Sequence, residues 1–150
     1  MTFSSYRAGK LSVRSSIVRF EKIESSGAFL FGSFVNYIYD RENQKIYFHG
    51  AHAGHKVDAL RNCDKVCFTV YGNETIKEEA WAPFLQSVVV FGRCHFVESG
   101  AKATALLKQF AMKYYPDAQM VDEEIARAGK AAQVFEIEIE HLSGKEIQER

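Results

Sequence analysis

Two basic residues, His55 and Lys56, stand where a glycine-rich turn gives way to a helical pattern. The turn holds Gly50, Ala51, Ala53 and Gly54, small residues that let a backbone bend sharply and let a ligand come close to it. Val57 and Leu60 then follow at helical spacing. A helix starting at His55 offers unpaired backbone N–H groups and a positive dipole end, and both favour an anion. A lysine in that first turn points to phosphate. His49, His52 and His55 recur at every third position, a spacing that raises the question of a metal. They straddle a strand end, a turn and a helix start, with no carboxylate or cysteine in the same turn, so no metal site is read here. Cys63 and Cys67 have C-x-x-x-C spacing and not the redox C-x-x-C pattern. Cys67 and Cys94 read as small core residues.

The elements that must position these groups can be read around them. Ile46, Tyr47 and Phe48 form a short β-forming run before the turn, and Val66, Phe68 and Val70 alternate as a strand after the helix. Upstream, residues 28–39 (AFLFGSFVNYIY) read as one long strand covered on both faces, interrupted by a bulge at Gly32 and Ser33. Asp40 to Gln44 is the hairpin loop that follows. Residues 1–27 mix serines and arginines and read as an edge strand and loop. Trp81, Pro83 and Phe84 form an aromatic-rich loop; Trp81, Phe84 and Tyr71 are candidates either for a substrate-pocket wall or for ordinary barrel or dimer packing. Residues 87–97 are another long strand, with Gly92 marking a bend. A helix is expected over 99–115, capped by Ser99 and stopped by Pro116, and a shorter one over 122–128. Residues 134–142 alternate, with Phe135, Ile137 and Ile139 inward and Glu136, Glu138 and Glu140 as a solvated row. Many strands with helices clustered late give an α+β barrel.

The chain has 150 residues, a length that suits one domain over 1–150. It is 47% apolar and 25% charged, enough to bury a real core. Nineteen basic and nineteen acidic residues cancel, which argues against a general nucleic-acid binder. Three cysteines form no disulfide framework, no run approaches a membrane span, and no signal peptide opens the chain, so a cytoplasmic location is expected.

The central stretch, NYIYDRENQKIYFHGAHAGHKVDALRNCDKVCFTV, resembles the FMN-binding split-barrel proteins related to pyridoxamine 5'-phosphate oxidase, and among them the nitroimidazole-resistance-like flavoprotein branch. SVVVFGRCHFVE, KYYP and EIEIEHLSGKE carry the likeness through the second half, so that it covers roughly residues 28–147. The resemblance implies a six-stranded split β-barrel with flanking helices. It also implies a homodimer with FMN in clefts at the subunit interface. On this chain's numbering it places Ser33, Phe34, Val35 and Asn36 beside the flavin ring, with Ser87 near it. It places His49 and Gly50 on the ribityl and phosphate side, and His55 and Lys56 on the phosphate. The expected activity is that of a flavin-dependent oxidoreductase acting on a small molecule, a nitroaromatic being one candidate. The alternative is a split-barrel module that holds flavin or haem without turnover. No catalytic acid, base or nucleophile is identifiable.

Overall fold

The computed structural model describes residues 13–24, 27–75, 84–115 and 117–147. The expectations for residues 1–12, for Trp81 and Pro83, and for the helix stop at Pro116 lie outside them. Among the described residues, seven antiparallel strands form one sheet: β1 (Val13–Glu24), β2 (Gly27–Phe34), β3 (Tyr37–Asp40), β4 (Lys45–Ala51), β5 (Lys65–Thr75), β6 (Phe84–Phe96) and β7 (Ala132–Ile147). Three α-helices accompany them among the described residues: α1 (His55–Asn62), α2 (Ala101–Tyr114) and α3 (Ala118–Ala128).

The strand order is β2-β1-β5-β6-β7-β4-β3. Strands β2 and β3 lie at opposite ends of that order, yet two residues, Val35 and Asn36, join them. The sheet must therefore curl until its two ends meet, which makes the fold an α+β split barrel. The expected strand count of six becomes seven because the apolar run 28–39 is two strands. The break falls at Val35–Asn36 and not at Gly32–Ser33, where β1 and β2 pair without a register shift. Ser16 fixes the corner: its hydroxyl donates to the Val35 carbonyl, and its own carbonyl accepts from the Val35 N–H at 3.2 Å.

Inward residues from five strands fill the barrel, among them Val18, Phe20, Ile46, Phe48, Phe68, Val90, Phe135 and Ile137. Phe48 and Phe135 stack with ring centres 4.8 Å apart. Val57, Ala59 and Leu60 of α1 complete this core, so the helix plugs one end of the barrel. The outward side of β4 is covered too. Tyr47 packs with Val134 and with Ala103, Leu106 and Phe110 of α2. That double coverage explains the unbroken Ile46-Tyr47-Phe48 run.

Helix α2 begins later than expected. Gly100, with φ of 155°, occupies the cap position in place of Ser99. Helix α3 begins earlier, because the Asp117 carboxylate accepts from the backbone N–H groups of Gln119 and Met120. Gly92 does mark an irregularity: the β6–β7 register shifts between Phe91 and Gly92. An added Cβ at Gly92 would lie 2.0 Å from the Glu138 carbonyl oxygen.

Candidate functional site

The alternation of β4 sends Lys45, Tyr47 and His49 outward, beneath α2, and Ile46, Phe48 and Gly50 toward the barrel interior. Two groups of candidate residues result, one on each side of this strand.

The inward group lies where α1 meets the barrel mouth. Gly54 precedes the helix with φ of 113°, a backbone state that glycine tolerates and L side chains rarely adopt. Having no side chain, it cannot cap the helix. The Asp58 N–H makes the first intrahelical bond, to the Gly54 carbonyl at 3.1 Å, so the N–H groups of the first turn have no partner within the helix. Lys56 reaches back across the turn. Its ammonium lies 5.4 Å from the centre of the Phe48 ring and 5.6 Å from that of Phe135. A Cβ on Gly50 would lie 2.9 Å from the Lys56 Nζ. Gly50 thus leaves the space that the ammonium uses. Burial pushes the Lys56 pKa down, against a smaller opposing effect of Cys94. No carboxylate among the described residues pairs with it. A half-buried cation beside an uncapped helix start suits a phosphate monoester. His55 itself is exposed.

The outward group lines a cleft of about 490 Å³ between β4, α2 and α3. Asn36 and His49 stand in its wall with Phe110, Leu107, Ile125 and Tyr115. The His49 ring packs on Phe110 at 4.9 Å between centres. Burial against α2, and then the Lys56 charge, hold its imidazole below the usual histidine range. His52 turns away and shares a hydrogen bond with the Lys130 carbonyl at 3.0 Å. Among the described residues no group of three His, Cys, Asp or Glu side chains could hold a metal.

The remaining candidates lie elsewhere on the protomer. Ser33 is half-buried on β2 opposite Val18, and Phe34 is 77% exposed opposite Ile17. Val35 is half-buried at the β2–β3 corner. Ser87 is half-buried on β6, between Tyr71 and Lys145. The register continues the Phe34 side of the sheet through Ile17, Thr69 and Val89, with Phe91 and Tyr71 on adjacent rows. Phe91 and Tyr71 are exposed, so this outer face is apolar and open. Cys67 belongs to it and not to the core; Cys94 is buried, as expected.

Four residues escaped the sequence reading. Ser16, read only as one of several scattered serines, orients the corner that delivers Asn36 to the cleft. Leu107, Phe110 and Ala111, on the sheet-facing side of the helix expected over 99–115, also wall the cleft. The helical period marks such residues as facing the sheet but does not say that a gap separates them from it.

The family model for pyridoxamine 5'-phosphate oxidase matches residues 34–146. No curated protein matches the sequence significantly. Solved structures share the fold at low identity. A protein of Bacteroides thetaiotaomicron described as a candidate 5-nitroimidazole antibiotic resistance protein is 16% identical, with a TM-score of 0.66 over 90% of this chain and 76% of that one. A conserved hypothetical protein of Mycobacterium tuberculosis is 16% identical, with a TM-score of 0.68 over 97% and 85%. An FAD-binding protein of Mesorhizobium loti is 17% identical, with a TM-score of 0.57 over 99% and 96%.

Proposed function

The chain belongs to the pyridoxamine 5'-phosphate oxidase family, and from that premise we propose that it is an FMN-binding homodimer acting as a flavin-dependent oxidoreductase on a small molecule. The observation that carries this reading is Lys56. Its ammonium is half-buried, lacks a carboxylate partner among the described residues, and stands beside Gly50 and the uncapped start of α1. A phosphate there would receive the lysine and the first-turn N–H groups together, with His55 at the rim, Gly50 beside it and His49 behind it on the other side of β4.

In this reading Ser33, Phe34, Val35, Asn36 and Ser87 flank the flavin ring. They lie too widely spread over one protomer to surround one ring, which supports a site completed by a second copy. The exposed apolar face carrying Phe34, Tyr71 and Phe91 is the surface we assign to that copy. The flavin supplies the electron transfer when bound, and the protein supplies binding, orientation and electrostatics. Desolvation beside Phe110 lowers the His49 pKa and so favours its neutral form, which offers one ring N–H and one acceptor to a neighbouring group. The apolar cleft beside it suits a flat organic substrate, and a nitroaromatic is the first to test.

A second reading, a module that holds flavin or haem without turnover, is favoured by the apolar lining of that cleft, where Glu124 is already paired with Arg127 at 2.7 Å. Two measurements separate the readings. FMN added to the protein should co-elute at one per chain on gel filtration. The loaded protein should then oxidise a reduced nicotinamide with a nitroimidazole as acceptor. Binding without turnover for any acceptor favours the module; no co-eluting flavin contradicts the cofactor assignment.

A further inference from the structure

A second cleft, of about 620 Å³, opens between the β3–β4 hairpin and α2. Its walls include Arg41, Lys45, Tyr47, Lys102, Leu106 and Gln109, none of which lines the Asn36–His49 cleft. What sets it apart from a patch of surface lysines is Glu136. This carboxylate lies opposite Tyr47 on β7 and is 8% exposed, because α2 covers that face of the strand. The sequence pattern placed it in a solvated row; the helix makes it a buried anchor. It accepts from Lys102 Nζ at 2.7 Å, from Lys45 Nζ, and from the Tyr47 hydroxyl.

Two consequences follow. The ammonium groups of Lys45 and Lys102 converge on one point at the cleft floor, so their side chains are ordered before any ligand arrives. Each lysine has three N–H donors; Lys45 gives one to Glu136, and Lys102 gives one to Glu136 and one to the Tyr47 oxygen, which leaves donors on both for another acceptor. The acids, by contrast, are engaged. Asp40 accepts from the Glu42 and Asn43 backbone N–H groups and from the Asn43 side chain. Arg41, at the exposed rim, has no carboxylate partner among the described residues. Three cations stand against two saturated carboxylates, and Ile38, Tyr39 and Leu106 add apolar wall.

We propose that this cleft binds a small organic anion with a flat apolar body, the anionic group seated on Lys45, Lys102 and Arg41 and the body against Leu106 and Ile38. A carboxylate and a phosphate monoester share the required chemistry. The site is independent of the flavin reading.

Calorimetric titration of the full chain with benzoate, phenyl phosphate and benzyl alcohol tests it. Saturable binding is expected for at least one of the two anions and not for the neutral alcohol; which anion binds more tightly identifies the ligand class. Arg41→Gln, at an exposed loop position, should weaken that binding about tenfold, as should Lys102→Gln, while Lys56→Met should leave it unchanged. Absence of saturable anion binding overturns the proposal. So does binding that survives both the Arg41 and Lys102 substitutions. So does binding lost in the Lys56 variant, which would place the anion at the barrel mouth.

Discussion

The Lys56 ammonium stands 5.4 Å from the centre of the Phe48 ring, and Phe48 is fully buried. A cation is thus held against the aromatic floor of the barrel mouth, where burial lowers its pKa. Such a group is costly to the flavin-free fold and useful to an anionic ligand. Lys56→Met keeps the length and removes the charge. It should raise stability of the flavin-free protein by about 1 kcal/mol, measured by denaturant unfolding. It should weaken FMN by about tenfold to a hundredfold, measured by fluorescence titration. Opposite signs in the two assays are the signature expected.

Gly50→Ala probes the same contact from the other side. The new methyl would lie 2.9 Å from Lys56 Nζ and 3.2 Å from its Cε, so the lysine end must move. A flexible side-chain end moves cheaply, and the stability change should stay within about 1 kcal/mol. The ammonium would nonetheless leave its seat, so FMN affinity should fall while the unfolding midpoint hardly shifts.

Gly92→Ala should behave in the reverse manner. Its methyl would lie 2.0 Å from the backbone oxygen of Glu138, across the register shift between β6 and β7. Backbone cannot step aside as a lysine does. A loss of about 3 kcal/mol or more is expected in chemical denaturation.

Acid should unfasten α2. Burial pushes the Glu136 carboxyl up, but hydrogen bonds from Lys102, Lys45 and Tyr47 outweigh it and bring the pKa to about 2, against an ordinary 4.5. A carboxylate depressed in the folded state adds stability above its unfolded pKa and loses it as pH falls through the folded one. The loss should fall between pH 4.5 and pH 2, and amount to about 2 kcal/mol after allowance for solvent at the open side of the cleft. Glu136→Gln should flatten that part of the stability–pH curve.

Much of this architecture is legible in the chain. Strand, glycine turn, helix and strand over 45–70 follow from period and small residues alone, and α1 starts at His55 as its pattern indicates. The burial of Glu136 is not legible. Alternation tells which residues of β7 share a face, but what covers that face is a helix some thirty residues earlier in the chain. The Val35–Asn36 break is hidden for a related reason. The outer face of β2 is open and not covered, as Phe34 at 77% exposure shows, yet its outward residues are apolar too, so the apolar run continues through the break, and no glycine or proline marks the corner. The cleft between α2 and α3 depends on how far Leu107 and Ile125 stand from β4, a distance that periodicity does not encode.

The measurement that tests the account most directly is sedimentation of the FMN-loaded protein, followed at the visible flavin band and at the protein band together. One boundary is expected at the mass of two chains, carrying one flavin per chain, with loss of the flavin signal from that boundary in Lys56→Met at FMN concentrations near the native dissociation constant. Flavin that sediments with a single chain would contradict the shared site. Flavin that stays free while the protein remains folded would contradict the cofactor itself.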